Sequence, residues 1–296
     1  MWGRAVKASV FDDRRNVLGE GPTATGAKNE LITWVDLYGK KVRSRHLATG
    51  VTTEYATTED VGFAIPRVNG GEIIGTANGP LLRDPDGTLH KLPTREDVDG
   101  YKASQVVRWN DAKVSPQGDL FLGSMAYDFK TNAGAFYQMR SDGKHMRRLF
   151  GDVTISNGLD WTVDGKKMFY IDTPLCRVDI FDVEEREIKN RRTLVHFPES
   201  MGMPDGASVD AHGNIWVAFW MGHAVRCFDG ETGAQLEEIS CPAPRITSCV
   251  FAGDNLDQLI ITSASEDTDL EEFPEAGFVF TANVGVRGQK TALFGA

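Results

Sequence analysis

Four side chains with oxygen donors recur in phase along this chain. Asn110, Asn157 and Asp205 each stand eight residues ahead of a turn glycine: Gly118, Gly165 and Gly213. Glu20, in Gly19-Glu20-Gly21-Pro22, takes a comparable place just before the first apolar strand. Two carboxylates and two amides, with no His or Cys among them, suit one divalent cation: calcium, magnesium, manganese or zinc. Carboxylates gathered in a channel raise one another's pKa, and a divalent ion removes that penalty. Asn-Gly and Asp-Gly pairs also mark ordinary turns, and a lone Glu is ordinarily exposed. The shared register separates these four from chance turns.

That register comes from a repeat. Gly71, Gly118, Gly165 and Gly213 are spaced by 47, 47 and 48 residues. Each unit opens on a polar residue and a short apolar strand, turns at the glycine, and continues into a second, strongly apolar strand. Further strands follow, joined by turn chemistry such as Pro85-Asp86-Gly87 and Ser141-Asp142-Gly143. Long stretches of 3.6 period are missing; Val183 to Lys189 and Thr94 to Lys102 hold at most a turn or two of helix. Six such units fill 296 residues, which predicts an all-β fold, a six-bladed β-propeller forming one domain over residues 1–296. The last unit is one strand short after Phe278 to Val284, while Val6 to Phe11 is a spare apolar strand. The N-terminal strand is therefore expected to complete the final blade and close the ring. Innermost strands line the axis, so Glu20, Asn110, Asn157 and Asp205 should converge at one mouth. The second blade offers only Gly62-Phe63 there, and the sixth Ser248-Cys249.

Composition narrows the partners. Lys and Arg number 32 against 42 Asp and Glu, a net charge of −10. A general nucleic-acid binder needs a basic face, so nucleic acid is not expected as a partner. Met1 to Asp13 shows no signal peptide, and Ile215 to Val225 is well short of the ~20 apolar residues of a spanning helix. Cys176, Cys227, Cys241 and Cys249 have no C-x-x-C spacing; a reducing, cytoplasmic location without membrane contact is expected. Gly19-x-Gly21-x-x-Ala24 imitates a dinucleotide fingerprint, but Pro22 and the lack of a following helix argue against it. Basic residues around Arg147-Arg148 and Lys189 to Arg192 read as solvated outer strands. Trp34, Phe121, Phe169 and Trp216 fall on second strands, where blade-to-blade packing is their expected role.

The motifs together resemble a known family. Gly19-Glu20-Gly21-Pro22, Arg108-Trp109-Asn110-Asp111-Ala112-Lys113-Val114, Gly123-Ser124-Met125, Ser156-Asn157-Gly158-Leu159-Asp160-Trp161 and Pro204-Asp205-Gly206 look like the SMP-30/gluconolactonase family of regucalcin-like sugar lactonases. The likeness keeps motif order from about residue 16 to Gly288. It implies a six-bladed propeller with one divalent cation, held by Glu20, Asn157 and Asp205. It also implies that Arg108 and Asn110 contact substrate, with Asp128 where animal relatives carry a substrate-touching Glu. Ser124, Trp109 and Asp128 depart from the usual Thr, Phe and Glu, and Asp111 is left unassigned. The expected reaction is hydrolysis of a sugar lactone to the aldonic acid. Asp205, as the carboxylate beside the metal, is the candidate catalytic acceptor of the water's proton. The rivals are a metal-dependent phosphotriester or fluorophosphate hydrolase on the same fold and a non-catalytic, protein-binding propeller.

Overall fold

The computed structural model describes residues 6–98 and 106–295. Within them, strands assemble into six four-stranded antiparallel sheets, the fifth carrying one additional short strand. The innermost strands are Gly19–Thr25, Val61–Pro66, Val107–Val114, Ser156–Trp161, Met203–Val209 and Ile246–Ala252. Each packs beside the next, and the sixth returns to the first, so the ring is closed. This is the six-bladed propeller that the glycine spacing predicts.

Closure also follows expectation, with one refinement. Ser9–Asp12 pairs antiparallel with Val279–Asn283 and forms the outer strand of the sixth blade. Just before it, Val6–Lys7 runs parallel to Gln235–Ser240 on the fifth blade. The spare N-terminal segment thus covers two sheet edges rather than one, and both edges gain partners for their backbone groups.

Burial falls from the inside of each blade outward. In the third blade Leu120–Ala126 and Gly134–Met139 are buried throughout, while the outer strand Met146–Val153 is mostly half-buried or exposed. The inner three strands are sandwiched between neighbouring blades, so both faces must be apolar. Large second-strand residues lock one blade to the next. Phe121 meets Trp161 edge-on at 5.1 Å, and Trp216 meets Phe251 at 5.9 Å. Trp34 and Phe169 pack likewise against the apolar side chains of adjacent blades. Truncating such a ring to Ala costs about 3–5 kcal/mol. Arg147, Arg148, Lys189, Arg191 and Arg192 do sit on outer strands.

The two short helical allowances resolve differently. Arg95–Asp97 is a single 3₁₀ turn, and the end of that segment, from residue 99, lies outside the described residues. Val183 to Lys189 is a hairpin: Glu185 and Arg186, both at positive φ, connect Arg177–Glu184 to Glu187–His196. Tight two-residue hairpins need positive φ, and neither residue type announces it. All four cysteines are free thiols. Among the described residues no helix is long and apolar enough to cross a membrane.

Candidate functional site

One device repeats in all six blades. Every innermost strand slips register against its neighbour at the same depth: Glu20/Thr23, Val61/Phe63, Trp109/Ala112, Asn157/Leu159, Pro204/Ala207 and Ile246/Ser248. A β-bulge re-aims the side chains around it. The four oxygen donors therefore lie at or beside bulges inside strands. Glu20, expected just ahead of its strand, is within it, opposite Val35. The glycines after Asn157 and Asp205 have a packing cause rather than a turn cause. A Cβ on Gly158 would sit 2.5 Å from the Asp205 carbonyl oxygen, and one on Gly206 would sit 2.2 Å from Ser248 Oγ. Neighbouring inner strands approach too closely there for any larger residue.

Glu20, Arg108, Asn110, Asn157 and Asp205 are all buried. Arg108 Nη1 donates to Asn110 Oδ1. Asn110 Nδ2 donates to Ser156 O at 2.7 Å and to Asn157 Oδ1 at 3.0 Å. Asn157 Nδ2 donates to Thr173 Oγ1 at 2.8 Å, and that hydroxyl donates to Pro204 O at 2.8 Å. This relay spans blades three to five and fixes the Asn157 amide with its oxygen on the Asn110 side. Glu20 Oε2 accepts from the Gly21 amide at 3.2 Å. Among the described residues Asp205 Oδ1 is buried with no hydrogen-bond partner. An orphaned carboxylate oxygen is costly.

The carboxylates repel one another. Burial, and next the charge of Asp111, push Glu20 up to about 8, with the Gly21 amide and Arg108 pulling back. Burial raises Asp205 well above the ordinary range, aided by Glu20 and Asp111. Asp111, pushed to about 6 chiefly by burial, lines the channel just behind them. A divalent cation fits this set: it supplies a partner for Asp205 Oδ1 and reverses the repulsion. Among the described residues there is no group of three His, Cys, Asp or Glu side chains placed for a metal. The Asn157 amide oxygen, which accepts from Asn110 Nδ2 at 3.0 Å, is the oxygen donor that the relay fixes in place.

Asp128 stands apart from this cluster. It is exposed on the loop beyond Tyr127, where Oδ1 accepts from the Lys130 amide at 3.2 Å. Other residues enter that the sequence reading left out. Arg108 faces the rings of Tyr38 and Tyr127, at 5.5 and 5.8 Å, and Tyr127 donates to Asp60 at 2.7 Å. Deeper in the channel, Lys113 Nζ donates to Asp160 Oδ2 at 2.8 Å, to Ala207 O at 3.0 Å and to Ser208 Oγ at 3.3 Å. Lys113, Asp160 and Ser208 lie three residues after Asn110, Asn157 and Asp205. The same phase argument, carried three positions further, finds this second ring. The far mouth is crossed by the C-terminal segment: Gln289 Nε2 donates to Trp161 O at 2.9 Å, and Phe294 N to Pro66 O at 3.0 Å.

Residues 18–265 match the family described as SMP-30/Gluconolactonase/LRE-like region. The chain belongs to the SMP-30/gluconolactonase/LRE-like family. Regucalcin of Danio rerio is 34% identical over 292 residues, covering 96% of this chain and 97% of that protein. A solved structure described as a calcium-binding protein, regucalcin, from Agrobacterium tumefaciens superposes with a TM-score of 0.90 at 26% identity, covering 99% of both chains. A luciferin-regenerating enzyme superposes with a TM-score of 0.87 at 27% identity, covering 98% of this chain and all of that one. The SMP-30/gluconolactonase/LRE-like family thus spans a protein described by calcium binding and one described by enzymatic turnover.

Proposed function

We propose that this protein hydrolyses the lactone of a sugar acid, using a divalent cation held by Glu20, Asn157 and Asp205. The observation that carries the reading is Asp205 Oδ1, buried, unpartnered and beside a second strained carboxylate. When bound, the cation supplies Lewis-acid polarisation of the lactone carbonyl and a lowered pKa for water. Asp205 then takes the proton of the attacking water. Asp205 is suited to this by position, as the carboxylate whose Oδ1 is buried without a partner; the repulsion that raises its pKa in the metal-free protein is offset when the ion is bound. Asn110, oriented by Ser156 and Arg108, holds the Asn157 amide in place; Arg108 keeps its Nε for substrate oxygen. Asp128 contacts substrate from the exposed loop beyond Tyr127. A lactone is already an activated ester, so positioning and charge stabilisation suffice without a covalent nucleophile.

The regucalcin relatives and the family description support this reading. The test is metal-by-substrate profiling: strip the protein, restore calcium, magnesium, manganese or zinc singly, and follow acid release from a panel of aldonolactones. Ion-dependent acid release is expected. Turnover confined to phosphotriesters, or none with any ion, defeats the proposal.

A further inference from the structure

A second arginine stands at the same mouth. Arg245 immediately precedes the innermost strand of the sixth blade and is bridged through its backbone to Trp220. Its guanidinium lies over the Trp220 ring, 5.0 Å from the centroid, much as that of Arg108 lies over Tyr38. Trp220 and Tyr38 pack against one small apolar cluster, Leu18, Leu37 and Ala264. Two arginine-on-aromatic pairs therefore share one patch of wall.

Each keeps some donors unused, although Arg108 Nη1 is taken up by Asn110 Oδ1 and Trp109 O. Among the described residues, Arg245 Nε and Nη1 and Arg108 Nε are buried with no hydrogen-bond partner. Leaving buried guanidinium N–H groups unpaired is costly, and such groups in a cleft call for an acceptor from outside. Burial raises Glu266, aided by Asp267, while Arg245 and Arg108 both pull it back, so both arginines lie within electrostatic reach of that one carboxylate. Glu266 forms no ion pair with either among the described residues. The stacked, planar fork of arginine matches a carboxylate, through two parallel N–H···O bonds.

We propose that Arg245 and Arg108 clamp a free carboxylate carried by the substrate, so that the lactone is one whose hydrolysis yields a dicarboxylate. This deepens the lactonase reading and rests on it. Water adds to the acyl carbon, the ring C–O bond breaks, and a proton passes to the departing alcohol oxygen; the clamped carboxylate is unchanged. The chain's net charge of −10 opposes an anionic substrate at long range, so local cations must supply the attraction.

Two measurements separate the clamp from the chemistry. Calorimetric titration of the metal-loaded protein with glucarate and with gluconate requires no turnover. Glucarate is expected to bind about tenfold or more tightly than gluconate, with the advantage lost in Arg245→Met and partly kept in Arg245→Lys. In turnover, kcat/KM for the lactone of glucaric acid over that of gluconic acid should fall about tenfold in Arg245→Met, through KM. Equal binding of the two acids by the native protein overturns the clamp, as does an equal loss on both lactones in a variant that melts like the native chain. Absence of all lactone hydrolysis, with glucarate binding and its Arg245 dependence intact, would sink the lactonase reading while leaving the anion clamp standing.

Discussion

The channel carries two polar rings three residues apart along the inner strands, and they solve burial in opposite ways. In the deeper ring, Lys113 Nζ meets Asp160, Ser208 and the Ala207 carbonyl. The other contacts of Asp160 are the amides of Trp161 and Val209, and Ser208 donates to Cys249 O at 2.8 Å. Charge meets opposite charge, and each group has partners. In the ring at the mouth, Glu20 and Asp205 face each other's charge, and Asp205 Oδ1 has no partner. Both rings arise from equivalent positions of the same strands. Fold therefore does not decide which is structural and which is functional; the balance of charge does. A satisfied buried network stabilises and specifies, whereas an unsatisfied one persists where something else is to bind.

The contrast is sharpest in a pair of substitutions. Asp205→Asn removes the proposed proton acceptor, and kcat is expected to fall about 10²–10⁴-fold. The same change relieves repulsion, so the metal-free protein should melt higher than the native chain. Asp160→Ala in the deeper ring should do the reverse. It leaves Lys113 short of its carboxylate and the Val209 amide unpaired, a loss of about 1–3 kcal/mol, while the folded fraction keeps far more turnover than Asp205→Asn. Denaturant melts and lactone assays on the same two samples decide the matter. If Asp205→Asn destabilised the metal-free fold and Asp160→Ala abolished turnover, the two rings would have to exchange roles.

Much of this was legible beforehand, because a propeller writes its geometry into the spacing of its glycines. Blade number, the closing N-terminal strand and the phase of Glu20, Asn110, Asn157 and Asp205 all follow from period and polarity. The bulges do not. Nothing in Asn157-Gly158 distinguishes a turn from a strand whose neighbour passes within contact of Gly158. Tyr38, Tyr127 and Trp220 escaped for another reason. They lie at or just beyond the ends of second strands, where loop length differs from blade to blade and phase is lost. Lys113 and Asp160 were missed although the signal was present, three residues past the ring that was noticed.

Proton linkage gives a third way to test the comparison. Glu20 moves from 4.5 in the unfolded chain to about 8 in the fold. Between those values the folded, metal-free protein holds a proton that the unfolded chain has released, so stability falls as pH rises across that window. Asp111, displaced from 3.8 to about 6, acts in the same direction. The melting temperature of the stripped protein should decline from pH 5 toward pH 8. Saturating cation should flatten that decline, because it binds the ionised carboxylates and stabilises the fold by mass action. A stripped protein whose melting temperature rises over the same range would remove the charge imbalance from the mouth.

The smallest expected effect belongs to Asp111, which lies between the rings and feels both. Its charge raises Glu20 and Asp205 above it, while Lys113 below lowers its own pKa. Asp111→Asn should therefore shrink the pH dependence of the stripped protein without removing it. For cation binding two consequences oppose each other. Losing a negative charge weakens attraction for the ion, but lower pKa values at Glu20 and Asp205 reduce proton competition. Well above the value of about 8 for Glu20, protons compete little for that carboxylate, so the first effect dominates and affinity should drop a few-fold. Near pH 6 the second offsets it and the variant should approach the native affinity. Calorimetric titration of the ion at both pH values separates the cases. A loss that is equal at the two, or larger at the acid one, would mean that Asp111 supports the site through packing rather than through charge.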